Sequence, residues 1–262
     1  MDIHYIESRH LETKRRITVL RPRRRHGEKA DTFPVLYLND GQNLFDDGRA
    51  FGGVSWNVQE AVNTLVRRHA IPSMIVVGID HGDARRGREY LPVEDDRNPD
   101  ARNPLGRKYA AFLTSEVMPF VEQHYPAARG AANTGVGGSS YGAVAALYTS
   151  LIHPGVFGRL LLESPSLYVG NAFLLRKARS ATRWPSRIYL GVGTRETSRA
   201  DWNEETVANV RTLEAILRAR GFGPRRLKVV VEEGATHSER AWAGRLGEAL
   251  GFLFRGPGTK TR

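Results

Sequence analysis

Hydrophobic residues along the chain fall into two alternating patterns. Short continuous apolar runs are typical of buried strands, and they occur at 33–38, 73–79, 132–136, 157–163, 187–193 and 227–232. Stretches with helical periodicity or a buried-helix character lie between most of them, at 56–66, 105–123, 143–148, 204–220 and 242–254. Two further strands at 3–8 and 13–21 suit an antiparallel pair at a sheet edge. The pattern predicts an α/β fold with a mostly parallel central sheet, an antiparallel N-terminal edge and helices on both faces.

The length of 262 residues suits one α/β domain. We expect a single domain over 1–262, with its core at about 33–254, its edge strands within 3–21 and a frayed tail at 255–262. A charged segment at 81–103 shows neither periodicity and is predicted to be a loop. Loops of this length are usually functional or mobile.

Composition narrows the class of protein. The chain has 40% hydrophobic and 26% charged residues, which is ordinary for a soluble globular protein. No apolar run approaches the ~18 residues that span a bilayer, and the N-terminus lacks the pattern of a secretory signal. We therefore expect a cytoplasmic protein without a membrane span. The absence of cysteine excludes disulfides, thiolate metal sites and a cysteine nucleophile.

The formal net charge is +11, and it has three interpretations. Nucleic-acid binding requires basic residues concentrated on one face, and attraction of an anionic substrate requires them around a pocket. A general bias toward arginine requires neither. The basic residues are dispersed along the chain, which favours the bias, with an anionic substrate second. No nucleic-acid partner is expected.

The segment Gly138-Ser139-Ser140-Tyr141-Gly142 fits the pattern G-x-S-x-G. It lies between a predicted strand and a predicted helix, where a sharp turn exposes the central serine hydroxyl. The flanking glycines avoid clashes in such a turn, and the helix N-terminus directs N–H groups toward a developing oxyanion. A close-packed turn of small residues is the alternative interpretation.

Three more candidates follow the ends of predicted strands: Gln42, Glu196 and His237. Sites in parallel sheets form at the carboxyl ends of the strands, and the order serine, acid, histidine is that of α/β-hydrolases. The Asp40-Gly41 step before Gln42 suits an oxyanion loop or an Asx turn capped by Asp40. Asp95 and Asp96 suggest a paired-carboxylate metal site, but adjacent acids in a charged loop are more often simply solvated.

Together these motifs resemble the putative-esterase family of α/β-hydrolases, which includes esterase D-like, enterochelin esterase-like and feruloyl esterase-like enzymes. The resemblance covers about 33–254. It rests on the ordered set 37–43 (YLNDGQN), 88–92 (REYLP), 138–142 (GSSYG), 164–166 (SPS), 193–196 (GTRE) and 234–237 (GATH).

The resemblance implies a role for each candidate. Ser140 is the nucleophile, His237 the general base and acid, and Glu196 the residue that orients His237. The backbone N–H groups of Gln42 and Tyr141 form the oxyanion hole. An imidazole suits both proton-transfer roles near neutral pH. The acid stays open, since three more carboxylates follow Glu196 closely: Asp201, Glu204 and Glu205.

Five residues are candidates for substrate contact: Trp56, Arg88, Tyr90, Leu167 and Tyr168. Aromatic and apolar residues are more often core, and Arg88 is alternatively a partner of Glu89 or Asp95. No metal and no organic cofactor is implied. The predicted function is a serine carboxylic ester hydrolase that works through an acyl-enzyme on a small-molecule ester. An anionic ester such as a siderophore lactone is a hypothesis for the substrate.

Three alternatives remain open from the sequence. The first is acyl transfer to an alcohol other than water, since the broader family resembled also holds mycolyltransferases. The second is a noncatalytic binding module on the same fold. The third is nucleic-acid binding, suggested by charge alone. The sequence predicts no oligomeric state.

Overall fold

The computed structural model describes residues 1–24, 27–28 and 30–256. Residues 257–262 of the tail predicted at 255–262 lie outside the described residues. Arg25, His26 and Lys29 also lie outside them.

Eight strands of the described residues form one sheet, in the order β1-β2-β4-β3-β5-β6-β7-β8. Their bounds are β1 Asp2–Ser8, β2 Thr13–Leu20, β3 Val35–Asn39, β4 Ile75–Ile79, β5 Thr134–Ser139, β6 Arg159–Glu163, β7 Arg187–Arg195 and β8 Leu227–Thr236. The pairs β1–β2 and β2–β4 are antiparallel, and all other neighbours are parallel. The mostly parallel sheet with an antiparallel N-terminal edge is confirmed.

The helices are α1 Val58–Arg67, α2 Arg86–Tyr90, α3 Gly106–Phe112, α4 Met118–His124, α5 Tyr141–Ile152, α6 Val169–Ser180, α7 Ala200–Ala219 and α8 Glu239–Phe254. A π-helical turn, Leu113–Val117, joins α3 to α4 just before Pro119. Such π-helical turns are rare and occur mostly as single turns inside α-helices.

Two helices were missed from the sequence. Helix α6 has three residues in the left-handed region directly after its first residue, Gly170, Asn171 and Ala172, so its regular part is too short for a clear period. Helix α2 has five residues and lies inside the segment 81–103, which the sequence predicted to be a loop. Helical periodicity needs several turns before it can be recognised.

The core occupies both faces of the sheet. Helices α1 and α8 cover one face with Val62, Trp242, Leu246 and their neighbours, while residues of α3 to α7 cover the other. Strands buried on both sides explain the continuous apolar runs. Because β3, β5, β6, β7 and β8 are parallel neighbours, their carboxyl ends meet along one edge, where the predicted site residues lie.

The longest helix of the described residues is α7, with 20 residues. It carries acidic residues in its first turns and basic residues near its end. Across the part of the chain that the structure describes, no helix combines the length and the apolarity needed to span a bilayer.

Candidate active site

Ser140 lies in a strained turn between β5 and α5. Its φ of 55° and ψ of −126° fall in a region that non-glycine residues rarely occupy and that clusters at functional sites. The turn is held by the next strand, since the Ser140 N–H donates to the Glu163 carbonyl at 2.9 Å. A Cβ at Gly138 would lie 2.8 Å from the carbonyl carbon of Gly142, so the chain packs here without room for a side chain.

The register of the sheet brings Glu196 beside His237. Arg195, the last residue of β7, pairs with Thr236, the last residue of β8. The residues that follow these two, Glu196 and His237, are therefore neighbours as well. His237 Nδ1 lies 2.5 Å from Glu196 Oε2. The carboxylate side chain is 1% exposed and the imidazole 34% exposed. The imidazole thus has one nitrogen on a buried carboxylate while part of its ring faces the solvent-accessible cavity.

The other three acidic candidates lie on α7 and are used differently. Asp201 pairs with Arg199 at 2.5 Å, and Glu205 pairs with Arg97 at 2.8 Å. Glu204 is exposed on the same helix. Of the four carboxylates, Glu196 is the one that contacts His237.

A small hydrogen-bond network holds the Glu196 carboxylate. Its Oε1 accepts bonds from the Gly193 N–H at 2.5 Å and from Ser164 Oγ at 2.7 Å. Ser164 Oγ in turn accepts a bond from Trp242 Nε1 at 2.9 Å. Burial favours the protonated acid, but the bonds from His237, Ser164 and Gly193 outweigh it, and the pKa of Glu196 is lowered. Glu196 is therefore ionised at neutral pH where it contacts Nδ1 of His237.

Two cavities meet at Ser140 and His237. The larger has a volume of about 430 Å³, and Phe51, Arg86, Glu239 and Trp242 are among its walls. The smaller has a volume of about 240 Å³, and Ser166 Oγ in its wall lies 3.5 Å from Ser140 Oγ. An ester bound with its carbonyl at Ser140 would have room for its acyl part on one side and its alcohol part on the other.

The two residues predicted to form the oxyanion hole lie at the starts of helical turns. Tyr141 is the first residue of α5, and Gln42 lies in the 3₁₀ turn Gly41–Asn43 that follows β3. The first N–H groups of a helix have no partner within it, so both positions suit an oxyanion. The side chain of Gln42 accepts a bond from the His81 N–H at 3.3 Å.

Asp40 stabilises the turn that carries Gln42, but not as an Asx cap. Its side chain makes no capping bond, and its φ of 59° reverses the chain. The carboxylate instead makes two bonds to Arg86, at 2.7 and 2.9 Å. Its N–H donates to the Tyr90 hydroxyl at 3.1 Å. The Asx-turn interpretation is wrong, and an ion pair across the site takes its place.

Of the five predicted substrate contacts, Tyr168 lines the smaller cavity. Trp56 is buried, with its ring 5.9 Å from that of Trp242, and Tyr90 and Leu167 are also buried. These three residues therefore belong to the core. Their residue types did not reveal this, because large apolar side chains fill a core as readily as a pocket.

Arg88 points away from the cavities. Its side chain is exposed and donates to the Asn103 carbonyl at 2.8 Å. Arg86, two residues earlier on α2, lines the larger cavity instead. Residues two apart on a helix do not share a face, so the motif selected the wrong arginine.

Asp95 is the main site residue that sequence reasoning missed. It is buried, and its Oδ2 accepts bonds from the hydroxyls of Tyr141 at 2.5 Å and Tyr168 at 3.2 Å. The expectation of a solvated pair holds for Asp96, which is exposed, and is wrong for Asp95. Within residues 1–24, 27–28 and 30–256, no three His, Asp or Glu side chains are grouped so that they could hold a metal ion.

Residues 8–253 match the family model described as "Putative esterase", and the chain belongs to this family. It is a carboxylic ester hydrolase with an α/β-hydrolase fold. The predicted family and enzyme class are thus confirmed. Among curated proteins, YbbA of Bacillus subtilis (strain 168) is 23% identical over 252 residues, which are 94% of this chain and 95% of YbbA.

Solved structures share the fold at low identity. The BES protein from Bacillus cereus has a TM-score of 0.74 at 18% identity, covering 97% of this chain and 95% of that one. The enterobactin esterase FES from Shigella flexneri, determined in the presence of enterobactin, has a TM-score of 0.73 at 24% identity. That match covers 96% of this chain and 58% of the FES chain.

Proposed function

We propose that this esterase is a serine hydrolase in which Ser140, His237 and Glu196 form a catalytic triad. The observation that carries the proposal is the 2.5 Å contact between the buried Glu196 carboxylate and His237 Nδ1, beside a serine in a strained turn. A nucleophile, a base and a residue that orients the base are the parts that acyl transfer requires.

Acylation begins when Ser140 Oγ attacks the ester carbonyl carbon. His237 Nε2 accepts the hydroxyl proton, and Glu196 stabilises the imidazolium through Nδ1–H. The negative charge moves to the carbonyl oxygen, where the N–H groups of Gln42 and Tyr141 stabilise it. The intermediate then collapses, and the alcohol leaves with the proton from His237.

Deacylation repeats these steps with water. His237 takes a proton from a water molecule, the hydroxide attacks the acyl-enzyme carbonyl, and the free acid leaves as Ser140 Oγ regains its proton. If an alcohol replaces water, the same residues transfer the acyl group to that alcohol. The proposed triad serves both outcomes, so the acceptor determines whether the product is an acid or a new ester.

The proposed substrate is a small-molecule ester. A siderophore lactone is one hypothesis, supported by the fold shared with the FES enterobactin esterase. The two arginines beside Ser140 give it little support, since Arg86 is paired with Asp40 and Arg97 with Glu205. Arg97 also lies 4.2 Å from the centre of the Tyr168 ring and 4.8 Å from that of Trp202. An aromatic wall with neutralised cations favours a planar or apolar group in the smaller cavity.

The test is hydrolysis of p-nitrophenyl esters together with labelling by a fluorophosphonate. We expect Ser140→Ala to abolish both, and Ser166→Ala, which removes the neighbouring hydroxyl, to retain the label. Labelling of Ser140→Ala would exclude Ser140 as the nucleophile. A wild-type protein that neither hydrolyses nor labels would favour a noncatalytic module, and new ester formed from an added alcohol would favour acyl transfer.

A further inference from the structure

A third cavity adjoins the active site on the side of the sheet edge. It has a volume of about 300 Å³. His81 and Asp83 line both this cavity and the larger cavity at Ser140, and Gln42, a proposed oxyanion residue, is also in its wall. A group bound there would be close to a substrate held at Ser140.

The walls of this cavity are rich in arginine, and we refer to it as the arginine cavity. Its guanidinium groups belong to Arg15, Arg16, Arg49 and Arg85. Lys14 and Asp83 in its wall are largely exposed, and their opposite charges cancel in the net charge of the wall.

Two carboxylates form ion pairs with the four guanidinium groups. Asp80 Oδ2 lies 2.6 Å from Arg49 Nη2 and 3.5 Å from Arg16 Nη1. Glu89, which is fully buried, lies 2.7 Å from Arg15 Nη2 and 3.1 Å from Arg85 Nε. The cluster therefore keeps two positive charges in excess, in a partly enclosed space where solvent screens them less than at an open surface.

The donors of the cluster are also incompletely used. The Arg15 side chain is 3% exposed, and its Nε is buried without a hydrogen-bond partner, as are the acceptor atoms Asp80 Oδ1 and Glu89 Oε1. Buried donors ordinarily find acceptors. Arg16 and Arg49 keep 18% and 37% of their side chains exposed, so a ligand can reach them. Guanidinium groups bind carboxylates and phosphates with paired bonds.

We infer that the arginine cavity binds a carboxylate or phosphate group that lies next to the ester during catalysis. The inference rests on the proposed function insofar as the anion is part of the substrate. The anionic group would then bind outside the two cavities at Ser140. Two sources share this chemistry: an anionic end of the substrate itself, or a free anion that occupies the cavity.

The experiment compares p-nitrophenyl monoesters of dicarboxylic acids of increasing length with the same compounds capped as methyl esters. The readout is the ratio of kcat/KM for the anionic ester to that for its capped partner. We expect the ratio to exceed one at a certain length, and to fall at least about fivefold in Arg49→Gln and in Arg16→Gln. Arg225→Gln, an exposed arginine of the loop before β8, is the matched control and should keep the wild-type ratio.

Inorganic phosphate distinguishes the two sources. Competitive inhibition confined to the anionic esters assigns the cavity to the substrate, whereas an equal effect on both ester series assigns it to a free anion. Calorimetric titration of Ser140→Ala with phosphate tests the site without turnover. Binding that Arg49→Gln weakens would support the inference even if no ester were hydrolysed, which would count against the proposed function alone. A ratio of one or less at every length, together with no phosphate binding, would overturn the inference.

Discussion

Asp95 and Tyr141 are joined by a hydrogen bond of 2.5 Å from the tyrosine hydroxyl to the carboxylate. Tyr141 directly follows Ser140, and its backbone N–H is half of the proposed oxyanion hole. The same carboxylate oxygen accepts the Tyr168 hydroxyl at 3.2 Å. Asp95 thereby connects the segment 81–103 to the turn around Ser140 and to the wall of the smaller cavity.

Replacement of Asp95 should therefore slow catalysis without removing it. In Asp95→Ala the half-buried hydroxyls of Tyr141 and Tyr168 lose their common acceptor, which lowers the free energy of unfolding by about 1–3 kcal/mol. Tyr141 is then held less firmly. We expect kcat for a p-nitrophenyl ester to fall about 10-fold or more, and less in Asp95→Asn, which keeps an acceptor oxygen. Asp96→Asn, the exposed neighbour, is the control. Wild-type kcat in Asp95→Ala would show that the contact only stabilises the fold.

Replacement of Glu196 tests the proposed triad. In Glu196→Gln the side chain keeps its shape but loses the charge that stabilises the imidazolium, and its amide group can donate to Nδ1 and so favour the wrong tautomer. Loss of the triad acid typically lowers kcat by about 10⁴-fold. Asp201→Asn, which removes a nearby exposed carboxylate, should leave kcat within about twofold. The reverse result would assign the acid role to Asp201.

Stability should depend on pH through the same carboxylate. The pKa of Glu196 is lowered in the folded protein, so between the folded and the unfolded pKa the unfolded chain binds more protons. This contribution to the free energy of unfolding is therefore fully present above the ordinary glutamate pKa, and it is lost as the pH falls through the lowered value. Urea unfolding of the wild type and of Glu196→Gln from pH 7 to pH 3 measures it. The stability advantage of the wild type should shrink across the acid range, and a constant difference would contradict the expectation.

Two glycines should respond oppositely to replacement by alanine. At Gly138 an added Cβ meets the Gly142 backbone at 2.8 Å, which should destabilise the protein by roughly 1–3 kcal/mol and displace Ser140. Gly244 is exposed within α8, with nothing within 4 Å of an added Cβ, so alanine there should stabilise by roughly 0.5–1 kcal/mol. Thermal unfolding and esterase activity of both variants provide the test. A fully active Gly138→Ala would contradict the close packing of the turn.

Interactions between neighbours in sequence were predictable. The turn around Ser140 could be recognised because the glycines and the strand-to-helix change that it needs all lie within a few residues. The strands were found because a sheet covered on both faces leaves continuous apolar runs. Helices α2 and α6 were missed for a local reason too, since one is short and the other has three non-helical residues within its first turn.

The sequence by itself thus determined the α/β pattern, the sharp turn around Ser140 and the order of the candidate residues, because each depends on a local pattern. The tertiary structure decided which acid contacts His237, because the pairing of Arg195 with Thr236 brings together residues 41 positions apart. It also decided that Arg86 rather than Arg88 enters the cavity, and that Asp95 holds Tyr141 across 46 positions. Sheet register and helix orientation set these contacts, and no local pattern encodes them.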